Sequence, residues 1–319
     1  MASSHPTPTY SESPLAWTSE FESHSFTVSQ SRALEISIHN ATSLRASNGQ
    51  RYYAKIGSLD DRDQFIGEAE SLKAMELAAP GLVPKLIDCG FIDADTKERD
   101  SDVGRPYFLS EYKDIGTLTT AGAKTLGKRL ATELHAYKSP DGFGFHVPTY
   151  CGRTRQENGW YQSWPECFDA LMAGLEEKLR VQGGYDGLCN QVKEVRERVI
   201  PFLLEPLVIQ PVLLHGDLWS GNTGIDRSTG EPVIYDPSSY FGHNEADLAI
   251  GRMFGGIPES FYTTYHQYLP KSEPQEQYGL RQDLYQLYHY LNHTVLFGGG
   301  YAGSARQKMD RLLKEVSSI

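Results

Sequence analysis

The chain has 319 residues, 39% of them hydrophobic and 22% charged, with a formal charge of −11 and a pI near 5.4. This composition suits a folded protein with a well-buried core and excludes wholesale disorder. The acidity speaks against a surface that tracks nucleic-acid phosphates and suits a cationic substrate.

Residues 1–18 are Ser/Pro-rich and read as a loose segment. Glu12, Glu20 and Glu22 precede the first arginine, which fits neither a secretory nor a mitochondrial leader. From about residue 33 the pattern is strand-like: "ALEISIH" alternates, a polar stretch turns at Asn48-Gly49, and "RYYAKI" resumes the alternation. "DQFIGEAESLKAMELAA" then sets Phe65, Ala69, Leu72 and Met75 on one helical face, stopped by Pro80-Gly81. Two further strands are expected in "KLIDCGFI" and "PYFLSEY", separated by a charged, solvated loop over 93–105.

Beyond residue 117 the pattern becomes helical. "TLGKRLATELHAY" and "CFDALMAGLEEKLRVQ" both repeat apolar residues at three- and four-residue spacing. The intervening 140–166 stretch is irregular and rich in aromatics. "VLLHGDLWSGNTGI" and "PVIYDPSSY" read as apolar strand ends opening into polar loops, and two helices, near 281–297 and 306–317, close the chain. The layout predicts an α+β, bilobal protein-kinase-like fold. A small antiparallel lobe with one main helix covers 19–113, and a larger, mainly helical lobe covers 114–319.

Other features restrict the function classes. Cys89, Cys151, Cys167 and Cys189 form no CxxC pair and no Cys/His cluster, so reduced cytoplasmic thiols are expected rather than a zinc site. The most apolar run, "VIPFLLEPLVIQPVLL", is interrupted by Glu205 and three prolines, so no membrane span is expected. "GGGYAG" fits G-x-G-x-x-G but follows a helical pattern, which rules out a dinucleotide site. The sequons at Asn40 and Asn292 read as chance.

Phosphoryl transfer asks a protein to hold a nucleotide, neutralise developing charge and aim a hydroxyl. In kinase-like folds this takes a strand lysine, a helix glutamate, an Asp with an Asn five residues on, and a second Asp. All five are present in order: Lys55 in "YYAKI", Glu68 in the next helix, Asp217 and Asn222 in "HGDLWSGN", and Asp236 in "VIYDPSS". By residue type, Asp217 would orient or accept the proton of the substrate hydroxyl. Asn222 and Asp236 are hard oxygen donors suited to Mg2+. Lys55 would meet the ATP phosphates, aimed by Glu68, and the backbone at Glu111 and Tyr112 would meet adenine. His215 is expected to brace the loop, and Asp247 either to brace it or to cap a helix.

"DPSSYFGHNEADLAIGRMFGG" leads quickly from Asp236 into a helix, unlike the long activation segment of protein kinases. The runs "LLHGDLWSGN", "IYDPSSYFGHNEADLAI", "MFGGIP", "YHQYLP", "LYQLYHYLNHTVLFGGGY" and "FGFHVPTYCGRTRQENGWYQSWPECF" together resemble the fructosamine-3-kinase (ketosamine-3-kinase) family, over roughly 33–315. The resemblance implies an ATP- and Mg2+-dependent kinase acting on the sugar 3-hydroxyl of ketosamines, ribulosamine or fructosamine adducts on lysine, free or protein-borne. The product is unstable and releases the amine, so glycation is reversed. From the acidity and the broken apolar run, no nucleic-acid or membrane partner is expected, and a monomer is expected. Trp219, Trp160 and Tyr240, with Trp164 and Phe143, are the aromatic faces expected to meet the sugar; the alternative is that they pack in the core. The nucleotide-covering hairpin departs from the family's G-x-C-I-S: Leu34 and Glu35 replace Gly and Cys, and only Ser37 is kept. A backbone without those glycines approaches phosphates less closely, and no thiol-linked dimer can form through that loop. Two other readings stay open: a related kinase acting on another hydroxylated amine, and a kinase-like binding module without turnover.

Overall fold

The computed structural model describes residues 40–45, 50–92 and 103–317. The expected strand "ALEISIH", with Leu34, Glu35 and Ser37, lies outside the described residues, as do the 1–18 segment and most of the charged loop.

The first part of the chain is a four-stranded antiparallel sheet of order β1-β2-β4-β3, built from β1 (Asn40–Arg45), β2 (Arg51–Ile56), β3 (Leu86–Phe91) and β4 (Pro106–Glu111). β1 falls in the stretch expected only to turn; its polar sequence forms the outermost described strand, with Arg45 opposite Arg51. Helix α1 (Arg62–Ala78) crosses the sheet and buries Phe65, Ala69, Leu72 and Met75, the face expected from their spacing. Phe65 meets Phe108 of β4 with ring centroids 6.4 Å apart.

α1 is also fixed on its far side. Gly67 lies so close to the following part of the chain that a Cβ there would sit 2.5 Å from the Pro148 carbonyl oxygen. The Ser71 hydroxyl donates to the Gly67 carbonyl at 2.7 Å and accepts the Ser239 N–H at 3.1 Å. Both atoms are out of water, so neither bond has a solvent substitute.

β5 (Ile115–Gly116) leads into the helical part. α2 (Thr120–Thr132) is capped by Thr119, whose hydroxyl accepts the Gly122 N–H at 3.1 Å. The aromatic 140–166 stretch folds back as a short hairpin, β6 (Thr149–Cys151) and β7 (Thr154–Gln156). α3 (Trp164–Gln182) follows, with Ser163 as its cap and Gly183 ending it at φ 75°.

α4 (Asp186–Leu204) was not expected from the sequence. Leu188, Val192, Val195 and Val199 are fully buried at helical spacing. Pro201 lies in the last turn, where the carbonyl four residues back belongs to exposed Glu197.

β8 (Val212–Leu214), β9 (Thr223–Asp226), β10 (Pro232–Ile234) and β11 (Tyr240–Gly242) form two small antiparallel sheets, β11-β8 and β10-β9-β5. The loops at 215–222 and 235–239 open between them. α5 (Asn244–Asp247), α6 (Ala249–Phe254), α7 (Glu259–Tyr268), α8 (Tyr278–Phe297) and α9 (Gly300–Ser317) complete the fold. Gly298 and Gly299, at φ 65° and 57°, form the turn between α8 and α9. Asn292 of α8 is 0% exposed, so its sequon cannot carry a glycan. No helix among the described residues is long and apolar enough to cross a membrane.

Candidate active site

Strand alternation directs the Lys55 side chain of β2 toward α1, and Glu68 lies two turns into that helix. Lys55 Nζ meets both Glu68 carboxylate oxygens, at 2.9 and 2.8 Å, and Asp236 Oδ1 at 2.8 Å. Lys55 and Glu68 side chains are 12% and 11% exposed, whereas Asp236 is half exposed. Burial works against the Lys55 charge, but the Glu68 and Asp236 carboxylates outweigh it and hold the ammonium above its ordinary value. Burial also lifts Glu68, to about 7, against the pull of Lys55. For Asp236 burial is outweighed by Lys55, and its carboxyl stays below the usual range. Asp236 has φ 53°, a left-handed backbone that Asp tolerates better than most residues, and this turns its carboxylate into the cleft.

Beside this triad is a cavity of about 280 Å³, lined by Tyr53, Phe108, Ser110, Glu111, Tyr112 and Tyr235 among others. Its walls are apolar and aromatic, and one edge is the peptide run after β4. Glu111 differs from expectation in one respect: its N–H donates to the Lys85 carbonyl at 2.8 Å and is thereby committed. Its carboxylate pairs with Lys113 at 2.8 Å.

The second cluster is built on the loop after β8. Gly216 has φ 84°, and a Cβ there would lie 2.0 Å from the Ser238 carbonyl oxygen, so only glycine fits. Asp247 accepts the N–H groups of His215 and Gly216, both at 2.8 Å, and receives His135 Nε2 at 3.1 Å. Burial opposes the charge on Asp247, yet the His135 bond and these donors hold its carboxyl below the ordinary range. His215 Nδ1 accepts the Asp217 N–H at 3.2 Å, which assigns the ring proton to Nε2, 3.0 Å from the Tyr235 carbonyl. Burial depresses the His215 pKa, so its imidazole stays neutral and is spent on loop shape.

Asp217 is therefore presented from a loop fixed on both sides. Asn222 Nδ2 donates to its carbonyl and to Oδ2, each at 3.0 Å. Burial raises the Asp217 pKa to about 7, partly offset by that amide and reinforced by Asp236 and Asp247. A carboxylate poised near neutrality can accept a proton from a hydroxyl.

Of the aromatic residues expected at the sugar, the structure brings only Trp219 beside Asp217. It is half-buried, its ring lies over Gly221, and it meets Phe254 edge-on at 5.6 Å. Tyr240 is corrected: it is 5% exposed and stacks on Trp164 at 9°, because β11 turns that side chain into the core. Trp164 and Phe143 are buried with it. Trp160 is exposed, but its ring contact is with Phe241, 6.3 Å away. Sequence reasoning missed Tyr53 and Tyr235. Tyr53 shares the face of Lys55 two residues earlier, and Tyr235 immediately precedes Asp236, so both were within reach of the same strand arithmetic.

A sheet-borne lysine facing a loop Asp/Asn pair, in a small antiparallel part joined to a helical one, is the architecture of kinase-like phosphotransferases. Among solved structures, a candidate fructosamine-3-kinase from Haemophilus somnus 129PT superposes with a TM-score of 0.75 at 20% identity, over 90% of this chain and 92% of that one. The profile of the fructosamine kinase family matches residues 11–315, and the chain belongs to that family. It is 39% identical over 255 residues to the chloroplastic protein-ribulosamine 3-kinase of Arabidopsis thaliana, covering 80% of this chain and 73% of the relative. It is 35% identical over 287 residues to ketosamine-3-kinase of Mus musculus, covering 83% and 88%. As a member of this family it is a kinase, and its phosphoryl donor is ATP.

Proposed function

We propose that the chain phosphorylates the 3-hydroxyl of ketosamines carried on lysine amines, ribulosamine and fructosamine adducts being the two substrates to compare. The observation that carries the reading is the meeting of Lys55, Glu68 and Asp236 on one side of the cleft with an Asn222-held Asp217 on the other. The names of the relatives, a protein-ribulosamine 3-kinase and a ketosamine-3-kinase, support the substrate class.

The roles follow from position. The aromatic cavity beside Glu111 and Tyr112 takes adenine, and Lys55 meets the phosphates. Asp217 accepts the proton of the acceptor hydroxyl as its oxygen bonds to the γ-phosphorus. The bond to the bridging oxygen breaks, and ADP leaves. Asn222, whose amide nitrogen is spent on Asp217, retains its oxygen, and Asp236 offers a half-exposed carboxylate. This hard donor set fits Mg2+, which takes few protein ligands and shares the nucleotide phosphates. When bound, the cation supplies neutralisation of charge on the transferred group. Trp219 offers an apolar face to the sugar. Residues 19–113 and 114–319 serve as nucleotide-covering and catalytic lobes. The unpaired cysteines support a reduced, cytoplasmic setting, and we read the enzyme as a monomer.

The test is mass spectrometry of ribulosyl-lysine and fructosyl-lysine peptides after incubation with the protein, ATP and magnesium, beside Asp217→Asn. A gain of one phosphate with wild type, lost in the variant, is expected, and the faster peptide names the sugar. Nucleotide binding with no phosphate on either peptide would move the assignment to another hydroxylated amine. Nucleotide binding with no transfer to any acceptor would leave a binding module.

A further inference from the structure

The transfer as described leaves one carboxylate oxygen of Asp217 unaccounted for. Oδ2 takes the Asn222 amide, and Oδ1 faces the thiol of Cys151, with Sγ 3.9 Å away. Cys151 is the last residue of β6, is 2% exposed, and has no disulfide partner. Burial, reinforced by the neighbouring carboxylate, keeps it a neutral thiol, hence a donor rather than a second anion.

The hairpin that carries the thiol is held in place by three contacts with α8 and α1. Asn292 Nδ2 of α8 donates to the Cys151 carbonyl at 3.2 Å. Gln64 Nε2 of α1 donates to the carbonyl of the next residue, Gly152, at 3.2 Å. Arg155 on β7 reaches Asp63 of α1 at 2.7 Å. Together with the close approach of Gly67 to Pro148, these contacts seat the hairpin between the helix carrying Glu68 and the loop carrying Asp217.

We infer that Cys151 is a positioning residue for phosphoryl transfer: its thiol, presented by the β6–β7 hairpin, fixes the rotation of the Asp217 carboxylate toward the acceptor hydroxyl. A thiol suits this task because it is a weak donor. It limits rotation while leaving most of the negative charge on the oxygen that takes the proton. The inference rests on the reading of Asp217 as proton acceptor.

The experiment is a double-mutant cycle on the full chain. kcat is measured with a ketosamine-lysine peptide, and dissociation constants are measured with ADP. Cys151→Ala and Cys151→Val are expected to lower kcat about three- to tenfold, the range of one modest hydrogen bond, with ADP affinity within about twofold of wild type. Retained ADP binding certifies the fold, and Val guards against a cavity left by Ala. Cys151→Ser keeps a donor and should retain more turnover than Val. A purely packing role would give the reverse order, because the site is buried. In an Asp217→Asn background, single-turnover rates should change less than about twofold on adding Cys151→Ala, since the carboxylate it orients is gone. An equal loss in both backgrounds, an unchanged kcat, or Val outperforming Ser would overturn the inference. If Asp217→Asn itself keeps wild-type turnover, the reading of Asp217 falls, and the inference with it.

Discussion

Asp247→Asn isolates the anchor beneath the catalytic loop. The carboxylate accepts three donors, His215 N–H and His135 Nε2 on Oδ2 and Gly216 N–H on Oδ1. Its side chain is completely buried. An asparagine has one acceptor oxygen, so in either amide orientation an NH2 faces at least one N–H donor and both are left unsatisfied. Each buried orphan costs about 1–3 kcal/mol, and the lost charge assistance adds to this. The total is about 3–5 kcal/mol, a large share of the 5–15 kcal/mol typical of a whole domain. For a chain of this length that lowers Tm by roughly 5–8 °C, from the usual unfolding entropy per residue. Because the Asp247 pKa is depressed in the folded state, its contribution is complete above the unfolded value near 3.9 and is lost as pH falls through the lower folded value. The deficit should therefore be constant from pH 6 to 8 and shrink below about pH 4. The assay is thermal melting across that range, paired with kcat, which should fall with the displaced loop. A variant melting within about 1 °C of wild type at pH 7 with full kcat would refute the anchor argument.

Further expectations concern the remaining parts of the site. Gly216→Ala should cost most of the activity and several degrees of Tm, given its left-handed backbone and the 2.0 Å approach to Ser238. Gly174→Ala, in α3 with open space where a Cβ would point, should instead raise Tm by about 1 °C; circular dichroism melts compare the two. Lys55→Met should abolish nucleotide-induced thermal stabilisation. It also strips Glu68 of its counter-ion and raises its folded pKa further; both proteins lose stability alike from the unfolded value up to about pH 7, where wild-type Glu68 ionises, so the Tm deficit should widen only above about pH 7. The pH profile of kcat/KM should rise through about 7 as Asp217 ionises; a flat profile between pH 5 and 8 would remove that carboxylate from the rate. Asp236→Asn should erase the magnesium-dependent increment of nucleotide stabilisation, read by melting with and without chelator.

The spacing of a rigid loop is legible in sequence in a way that the direction of an aromatic side chain is not. Asp217 and Asn222 could be paired by counting because the four residues between them form one turn whose own hydrogen bonds fix it. Lys55 and Glu68 could be paired because a strand and the next helix leave few places for a buried cation. Tyr240 defeated the same reasoning: on a three-residue strand, period two leaves either face open, and the choice was made by pairing with β8 and by Trp164, more than seventy residues away in sequence. β1 was unreadable for a related reason, since "NATSLR" is largely polar and its strand form is seen in its pairing with β2. α4 carries apolar residues at helical spacing, Leu188, Val192, Val195 and Val199, a pattern the sequence reading did not use, and its Pro201 is tolerated because it falls in the last turn.

The bolting of α1 has a consequence for control. In a kinase whose glutamate helix can swing, activity is set by where that helix rests, and an outside signal can choose the position. Here the helix is trapped between its sheet, the Pro148 carbonyl and the Ser71–Ser239 bond, so moving Glu68 away would mean breaking buried hydrogen bonds and opening packed backbone contacts. The Lys55–Glu68 pair is thereby held engaged by buried packing, with the place of the helix set by the fold around it.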